Sequence, residues 1–143
     1  MQENMNLTIH SFDLAAYWEV LALWKRCEGV GLSDADSEES IKLYLERNPE
    51  MSFVAKEGGK IVGAILGGHD GRRGYIYHLA VETAWRRRGV ARRLVERCLK
   101  ALKASGIQKT HIFIFTNNNT GKAFWKSLGW TYRTDISVVS RNM

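Results

Sequence analysis

The segment Leu79-Ala80-Val81-Glu82-Thr83-Ala84-Trp85-Arg86-Arg87-Arg88-Gly89-Val90-Ala91-Arg92 gathers arginines around a glycine at the start of an apolar-periodic run. It reads as a strand, a short loop and a helix start, with Arg86-x-x-Gly89-x-Ala91 in the loop. Such a loop suits an anion. The first N–H groups of a helix lack partners, and the helix dipole adds positive potential there. Gly89 permits close backbone approach, and Ala91 is too small to block it. Arg86, Arg87, Arg88 and Arg92 supply forked donors matched to phosphate. The plainer alternative is a solvated arginine-rich first turn, which is disfavoured because cations at a helix N-terminus oppose the dipole.

The charge balance points to the same place. Lys and Arg total 21 and Asp and Glu total 15, a net of +6. Residues 72–97 hold Arg72, Arg73, Arg86, Arg87, Arg88, Arg92, Arg93 and Arg97 against Glu82 and Glu96, which is also +6. The rest of the chain is therefore neutral, and the positive charge is a local device for an anionic partner.

Other chemistries find little support. Cys27 and Cys98 form no C-x-x-C pair, and no Cys/His cluster has zinc spacing, so no metal is expected. Cys98 falls on an apolar helical stripe and reads as core. Gly121-Lys122-Ala123 lacks the upstream glycine and the Ser/Thr of a P-loop. Gly29-Val30-Gly31 lacks the third glycine of a dinucleotide fingerprint and follows a helix. The N-terminal stretch shows no signal-peptide pattern, and no apolar run approaches the ~20 residues that span a bilayer. A cytoplasmic protein with no membrane partner is expected.

The elements that must position the loop follow from periodicity. Residues 7–10 are extended. Residues 13–27 form a helix in which Leu14, Trp18, Leu21 and Cys27 share a face. A loop over 28–37 precedes a second helix that stops before Pro49. Strands at 51–56 and 60–67 flank a Gly58-Gly59 turn, and a third strand covers 75–81. Val90, Ala91, Leu94, Val95, Cys98, Leu99 and Leu102 make the clearest amphipathic helix. A buried strand at 110–116 then lies parallel to 75–81, because a helix separates the two. A short helix at 120–128 and strands at 130–134 and 136–140 finish the chain. The 143 residues fit one domain over 1–143, an α/β (α+β) fold. Its expected mixed sheet has six to seven strands, with helices on both faces.

At these residues the chain resembles the GNAT family of N-acetyltransferases, which use acetyl-CoA. Arg86-x-x-Gly89-x-Ala91 after Leu79-Ala80-Val81 is similar to the family's motif A. Asn118, followed seven residues later by Trp125 within Phe124-Trp125-Lys126-Ser127-Leu128-Gly129-Trp130, resembles its second signature. The Gly67-Gly68-His69-Asp70-Gly71-Arg72-Arg73-Gly74 turn looks closest to the small bacterial YpeA-like branch.

The resemblance implies a splayed central parallel strand pair. It places the backbone of Leu79, Ala80 and Val81 against the pantetheine arm and thioester. The pyrophosphate would lie on the N–H groups of Arg87, Arg88, Gly89, Val90, Ala91 and Arg92, with Arg86 alongside and Asn118 bonded to the pantetheine. Where many members carry a tyrosine that protonates the departing thiolate, this chain has Trp125, whose indole is a donor only. A thiol near pKa ~8.5 leaves as thiolate at pH 7 for only about 2 kcal/mol, so the change does not by itself abolish turnover, and the acid is left unassigned. The amine must lose a proton before attack. Tyr77 positioning a water is the first candidate for that step and His78 the second. His78 has the better intrinsic pKa, but strand alternation puts it on the face opposite Tyr77. Asp34, Asp36, Glu38 and Glu39 could attract a cationic acceptor, or could be ordinary helix-start chemistry.

The expected activity is acetyl transfer from acetyl-CoA to a primary amine by direct attack in a ternary complex. The acceptor is unnamed, and a homodimer is left open. One alternative is a CoA-binding protein without catalysis, prompted by Trp125. The other is a basic nucleic-acid-binding module, prompted by a pI near 9.5. No helix-turn-helix or RNP-like pattern favours the latter.

Overall fold

Short polar side chains start most of the helical segments. Asp13 Oδ1 accepts the Ala15 N–H at 3.1 Å, Ser37 Oγ accepts that of Ser40 at 3.1 Å, and Asn118 Oδ1 accepts that of Gly121 at 2.9 Å. The computed structural model describes residues 6–143. Residues 1–5, which belong to the expected 1–143 domain and to the stretch read for a signal, lie outside the described residues.

The elements run β1 (Leu7–Ser11), α1 (Tyr17–Arg26), α2 (Glu38–Arg47), β2 (Phe53–Glu57), β3 (Lys60–His69), β4 (Gly74–Val81), α3 (Val90–Ala104), β5 (Thr110–Ile112) and α4 (Asn119–Ser127). Short 3-10 turns occupy Leu14–Ala16, Asp34–Asp36 and Thr83–Trp85. Two compact units result, one ending at Phe113 and the other spanning Ile114–Met143.

The first unit contains a mixed five-stranded sheet in the order β1-β2-β3-β4-β5. The first four strands pair antiparallel, and β5 lies parallel to β4. Helices cover both faces of β3. A Cβ on Gly63 would stand 3.1 Å from Leu94 and from Val90, and one on Gly67 would overlap Cys98 Sγ, so α3 sits directly on these glycines. Val90, Leu94, Val95, Cys98 and Leu102 are the buried stripe of α3. Full burial of each of its aliphatic side chains stabilises by roughly 1.5–3 kcal/mol. On the opposite face Ala64 and Leu66 join Tyr17, Val20, Leu23 and Trp24 of α1 and Ile41 of α2.

Three expectations are corrected. The sheet has five strands, not six to seven, because residues 130–134 and 136–140 form none. Tyr132, Ile136 and Val138 are exposed, at 52%, 59% and 69%. Alternation is present there, but a strand also needs a neighbour's backbone, and the described residues of this unit include no strand. The strand expected at 110–116 ends at Ile112. In α1 the buried face is Tyr17, Val20, Leu23 and Trp24, while Trp18 is 64% exposed. Residues 17–24 are apolar at all positions but Glu19, so periodicity alone does not choose the face.

Among the described residues no helix is long and apolar enough to cross a membrane, and no group of His, Cys, Asp and Glu could hold a metal.

Candidate functional site

The start of α3 differs from the capped helices. Its N-cap is Gly89, at φ +80° and ψ 6°, and no side chain caps it. Among the described residues the backbone N–H groups of residues 87–92 donate to no protein acceptor; the helix ladder begins with Arg93 N–H to Gly89 carbonyl at 3.0 Å. Arg87 also lies in the left-handed region, at φ +63°. A non-glycine residue held there costs on the order of 1–3 kcal/mol, a cost that clusters at ligand sites. Left-handed turns of this kind aim successive N–H groups into one concavity, which receives anions. A Cβ built on Gly89 meets nothing within 4 Å, so the space over the turn is open.

The arginines divide by task. Arg86 Nε donates to the Val81 carbonyl at 3.1 Å, and the Arg88 guanidinium lies 5.0 Å from the centre of the Trp85 ring. Arg97 stacks 4.9 Å over Phe53. The guanidinium groups of Arg87, Arg92 and Arg93 have no hydrogen-bond or ion-pair partner among the described residues. Val90 is buried under the turn and Ala91 half-buried. The cradle therefore offers backbone donors, an open approach and unpaired guanidinium groups, which is what a pyrophosphate requires.

β4 leads into this turn. Its pairing with β5 stops at Ile76 opposite Ile112, so Tyr77–Val81 runs past its parallel neighbour. Leu79 is half-buried, and Ala80 and Val81 are buried. Glu82 holds the exit: Arg26 Nη2 lies 2.6 Å from its Oε2, and that bond lowers the carboxyl pKa.

A bulge in β4 overturns the expected placement of His78. Tyr77 pairs with Leu66 and Ala80 with Ala64, so β4 carries one more residue than β3 across this step. His78 absorbs it at φ +50°. Alternation fails there, and His78 turns to the same face as Tyr77. Its ring lies 4.9 Å from that of Trp24, in the cluster against which Tyr77 packs. His78 Nε2 is 2.7 Å from Asp36 Oδ1.

Around this point Tyr77 stacks on Tyr75 at 6.5 Å, meets Tyr44 edge-on at 6.3 Å and approaches Phe113 at 6.2 Å. Burial, then the neighbouring Tyr75, raises the Tyr77 pKa; burial raises that of Tyr44 further. Both phenols stay protonated at neutral pH and act as donors. Trp24 Nε1 and Tyr44 Oη are buried without a hydrogen-bond partner. Tyr44, Trp24 and Phe113 carry no site signal in the sequence, and Asp36 stands out there only as one of the acidic group with Asp34, Glu38 and Glu39. Ser33 and Asp36 did carry a local signal, since their spacing forms the capping box observed at the Asp34–Asp36 turn. Asp36 is buried and bonded, whereas Asp34, Glu38 and Glu39 are exposed.

The second unit holds Asn118 and Trp125. Asn118 Oδ1 is committed to the cap of α4, which leaves its Nδ2 as a donor. Trp125 is 6% exposed and packs edge-on against Phe124 at 5.2 Å and Trp130 at 4.6 Å.

The family model described as Acetyltransferase (GNAT) family matches residues 17–130. An acetyltransferase of Yersinia enterocolitica is 33% identical over 135 residues, covering 94% of this chain and 95% of the relative. An acetyltransferase of Pectobacterium atrosepticum is 36% identical over 109 residues, 76% of this chain and 77% of its own. Among solved structures, Ard1 from Thermoplasma volcanium superposes with a TM-score of 0.79 at 21% identity, covering 90% of this chain and 84% of that one. AAC(6')-Iy, solved with the bisubstrate analogue CoA-S-monomethyl-acetylneamine, gives 0.76 at 17% identity, covering 96% and 99%. At these identities the structures speak for the fold alone.

Proposed function

The chain belongs to the GNAT acetyltransferase family, and on that premise we propose that it is an N-acetyltransferase of one domain over 1–143, moving an acetyl group from acetyl-CoA to a primary amine. The observation that carries this reading is the run of unpartnered N–H groups at residues 87–92 beneath the open face of Gly89.

In this reading Arg87, Arg88, Gly89, Val90, Ala91 and Arg92 hold the pyrophosphate through their backbone N–H groups. Arg87 and Arg92 add charge from their side chains. Arg86 fixes the turn by its bond to the Val81 carbonyl. Leu79, Ala80 and Val81 present a strand edge to the pantetheine arm, as an extended ligand requires. Asn118 contributes its Nδ2 to the same arm. Bound acetyl-CoA supplies an acyl group activated as a thioester. The protein contributes alignment of the amine and a backbone donor for the carbonyl oxygen. Tyr77 orients the amine or a water through its hydroxyl, His78 is the second group able to handle the amine proton, and Trp125 stands where a tyrosine acid serves in many relatives. The fit to the diphosphate carrier rests on the open cradle and the free guanidinium groups.

Trp125 favours one second reading, a CoA-binding protein without catalysis. Calorimetric titration with CoA, acetyl-CoA and a duplex oligonucleotide is the first test, followed by transfer assays with a polyamine, a lysyl peptide, a peptide with a free N-terminus and an amino sugar. Submillimolar CoA affinity with transfer to at least one amine is the expected result. CoA binding without transfer would leave the second reading, and duplex binding alone would refute both.

A further inference from the structure

Asp36 is 7% exposed and comes from the 3-10 turn before α2. Both of its carboxylate oxygens are used. Oδ2 accepts the Ser33 N–H at 3.0 Å, and Oδ1 faces His78 Nε2 at 2.7 Å. Its backbone carbonyl accepts the Tyr17 hydroxyl. No lysine or arginine pairs with it among the described residues. A buried carboxylate is costly unless it is paired and hydrogen-bonded, and His78 is the one partner here able to carry positive charge.

The two partners of Asp36 determine a tautomer. A carboxylate only accepts, so His78 Nε2 carries the hydrogen and donates it to Oδ1. In the neutral ring the lone pair then lies on Nδ1. The Trp24 indole from α1 packs edge-on against the imidazole, with the ring centres 4.9 Å apart. Its side chain keeps 15% exposure. The bulge at His78 is what brings this ring to the face of Tyr77, Tyr75 and Tyr44.

We infer that Asp36 is a positioning residue that locks His78 in the Nε2–H form, and that His78, in preference to Tyr77, takes the proton of the acceptor amine on Nδ1. The inference rests on the acetyl-transfer reading. In that step the amine nitrogen bonds to the acyl carbon and the carbon–sulfur bond breaks. His78 takes the proton that the ammonium form of the amine loses before attack, and sulfur leaves with its electron pair and takes up the second amine proton, relayed by solvent. A carboxylate beside the resulting imidazolium stabilises it.

Asp36→Asn tests the idea through its two partners. Ser33 N–H can only donate, so the new amide turns its oxygen to Ser33 and its NH2 to His78. Nε2 must then accept, and the ring hydrogen moves to Nδ1, where it blocks the base. His78→Gln is the companion variant, since its amide NH2 can still donate to Asp36 Oδ1 while no base remains. Nitrogen-15 spectra of the neutral His78 ring and initial rates with acetyl-CoA and the amine panel above read the outcome. The expected result is an Nε2–H ring in the unaltered protein and an Nδ1–H ring in Asp36→Asn. In both variants kcat falls by about 10²-fold or more, while the KM for acetyl-CoA stays within about twofold, as loss of a proton acceptor without loss of carrier binding requires. An Nδ1–H ring in the unaltered protein, or either variant running at the original kcat, overturns the inference and leaves the acetyl-transfer reading standing. An unaltered protein that binds acetyl-CoA yet transfers to no amine overturns the transfer reading and the role of His78 with it.

Discussion

Replacing Gly89 separates backbone geometry from ligand contact. The residue sits at φ +80°, where any side chain is strained, yet a Cβ there meets no protein atom within 4 Å. Gly89→Ala and Gly89→Glu therefore share one folding cost, the left-handed penalty of about 1–2 kcal/mol, with no added clash. They differ in what they project over the N–H groups of residues 87–92. A carboxylate roughly 5 Å from a phosphate is repelled by about 1–3 kcal/mol at effective dielectrics between water and a protein surface. Each charge-assisted hydrogen bond displaced adds about 1.5–3 kcal/mol. Together these weaken CoA by at least ~100-fold in Gly89→Glu, against less than ~10-fold in Gly89→Ala. Calorimetric titration of both variants, with thermal melts confirming equal stability, is the assay. If Gly89→Glu bound CoA as tightly as Gly89→Ala, the anion would lie elsewhere and the cradle would be refuted.

Trp125→Tyr is expected to keep or raise turnover at neutral pH, because it restores an acid able to protonate a thiolate; complete loss in a folded variant would show that the indole holds the shape of its surroundings. Trp125→Ala, by contrast, should lose about 3–5 kcal/mol of stability in denaturant melts, as truncation of a buried tryptophan does; a change within experimental error would mean that its packing against Phe124 and Trp130 contributes nothing. Burial pushes the Cys98 thiol up to about 12, so at pH 8 only ~10⁻⁴ of it is thiolate, and iodoacetamide should label the half-buried Cys27 alone. The unfolded thiol ionises near the ordinary ~8.5, so this group's contribution to stability is full below that value and falls as pH rises toward 12; labelling of Cys98 in the folded protein at pH 8 would contradict the burial.

The turn that opens α3 at Gly89 is legible because its signal is local. Arg86, Gly89 and Ala91 lie within six consecutive residues, and the dipole argument needs no tertiary contact. The hairpin at Gly58-Gly59 and the stripe of α3 were legible for the same reason: each is written in residues adjacent along the chain or one helical turn apart. His78 was misplaced because a bulge is decided by two strands together. Nothing in Tyr75-Ile76-Tyr77-His78-Leu79 announces that β3 will be one residue shorter across the step. Asp36 was read with its acidic neighbours, since its partner lies 42 residues away and only the fold joins them. In α1 the opposite failure occurred, with apolar residues on every side leaving the buried face to be chosen by β3. The missing terminal strands show that alternation states what a strand could bury and does not supply a partner for its backbone.

In the proposed reading the backbone at residues 87–92 holds the diphosphate of CoA. An amide-resolved NMR titration of the nitrogen-15-labelled protein with CoA tests it directly. The amides of Arg87, Arg88, Gly89, Val90, Ala91 and Arg92 are expected to shift farthest and to saturate together. Saturating CoA with those amides unmoved, while others shift, would contradict it.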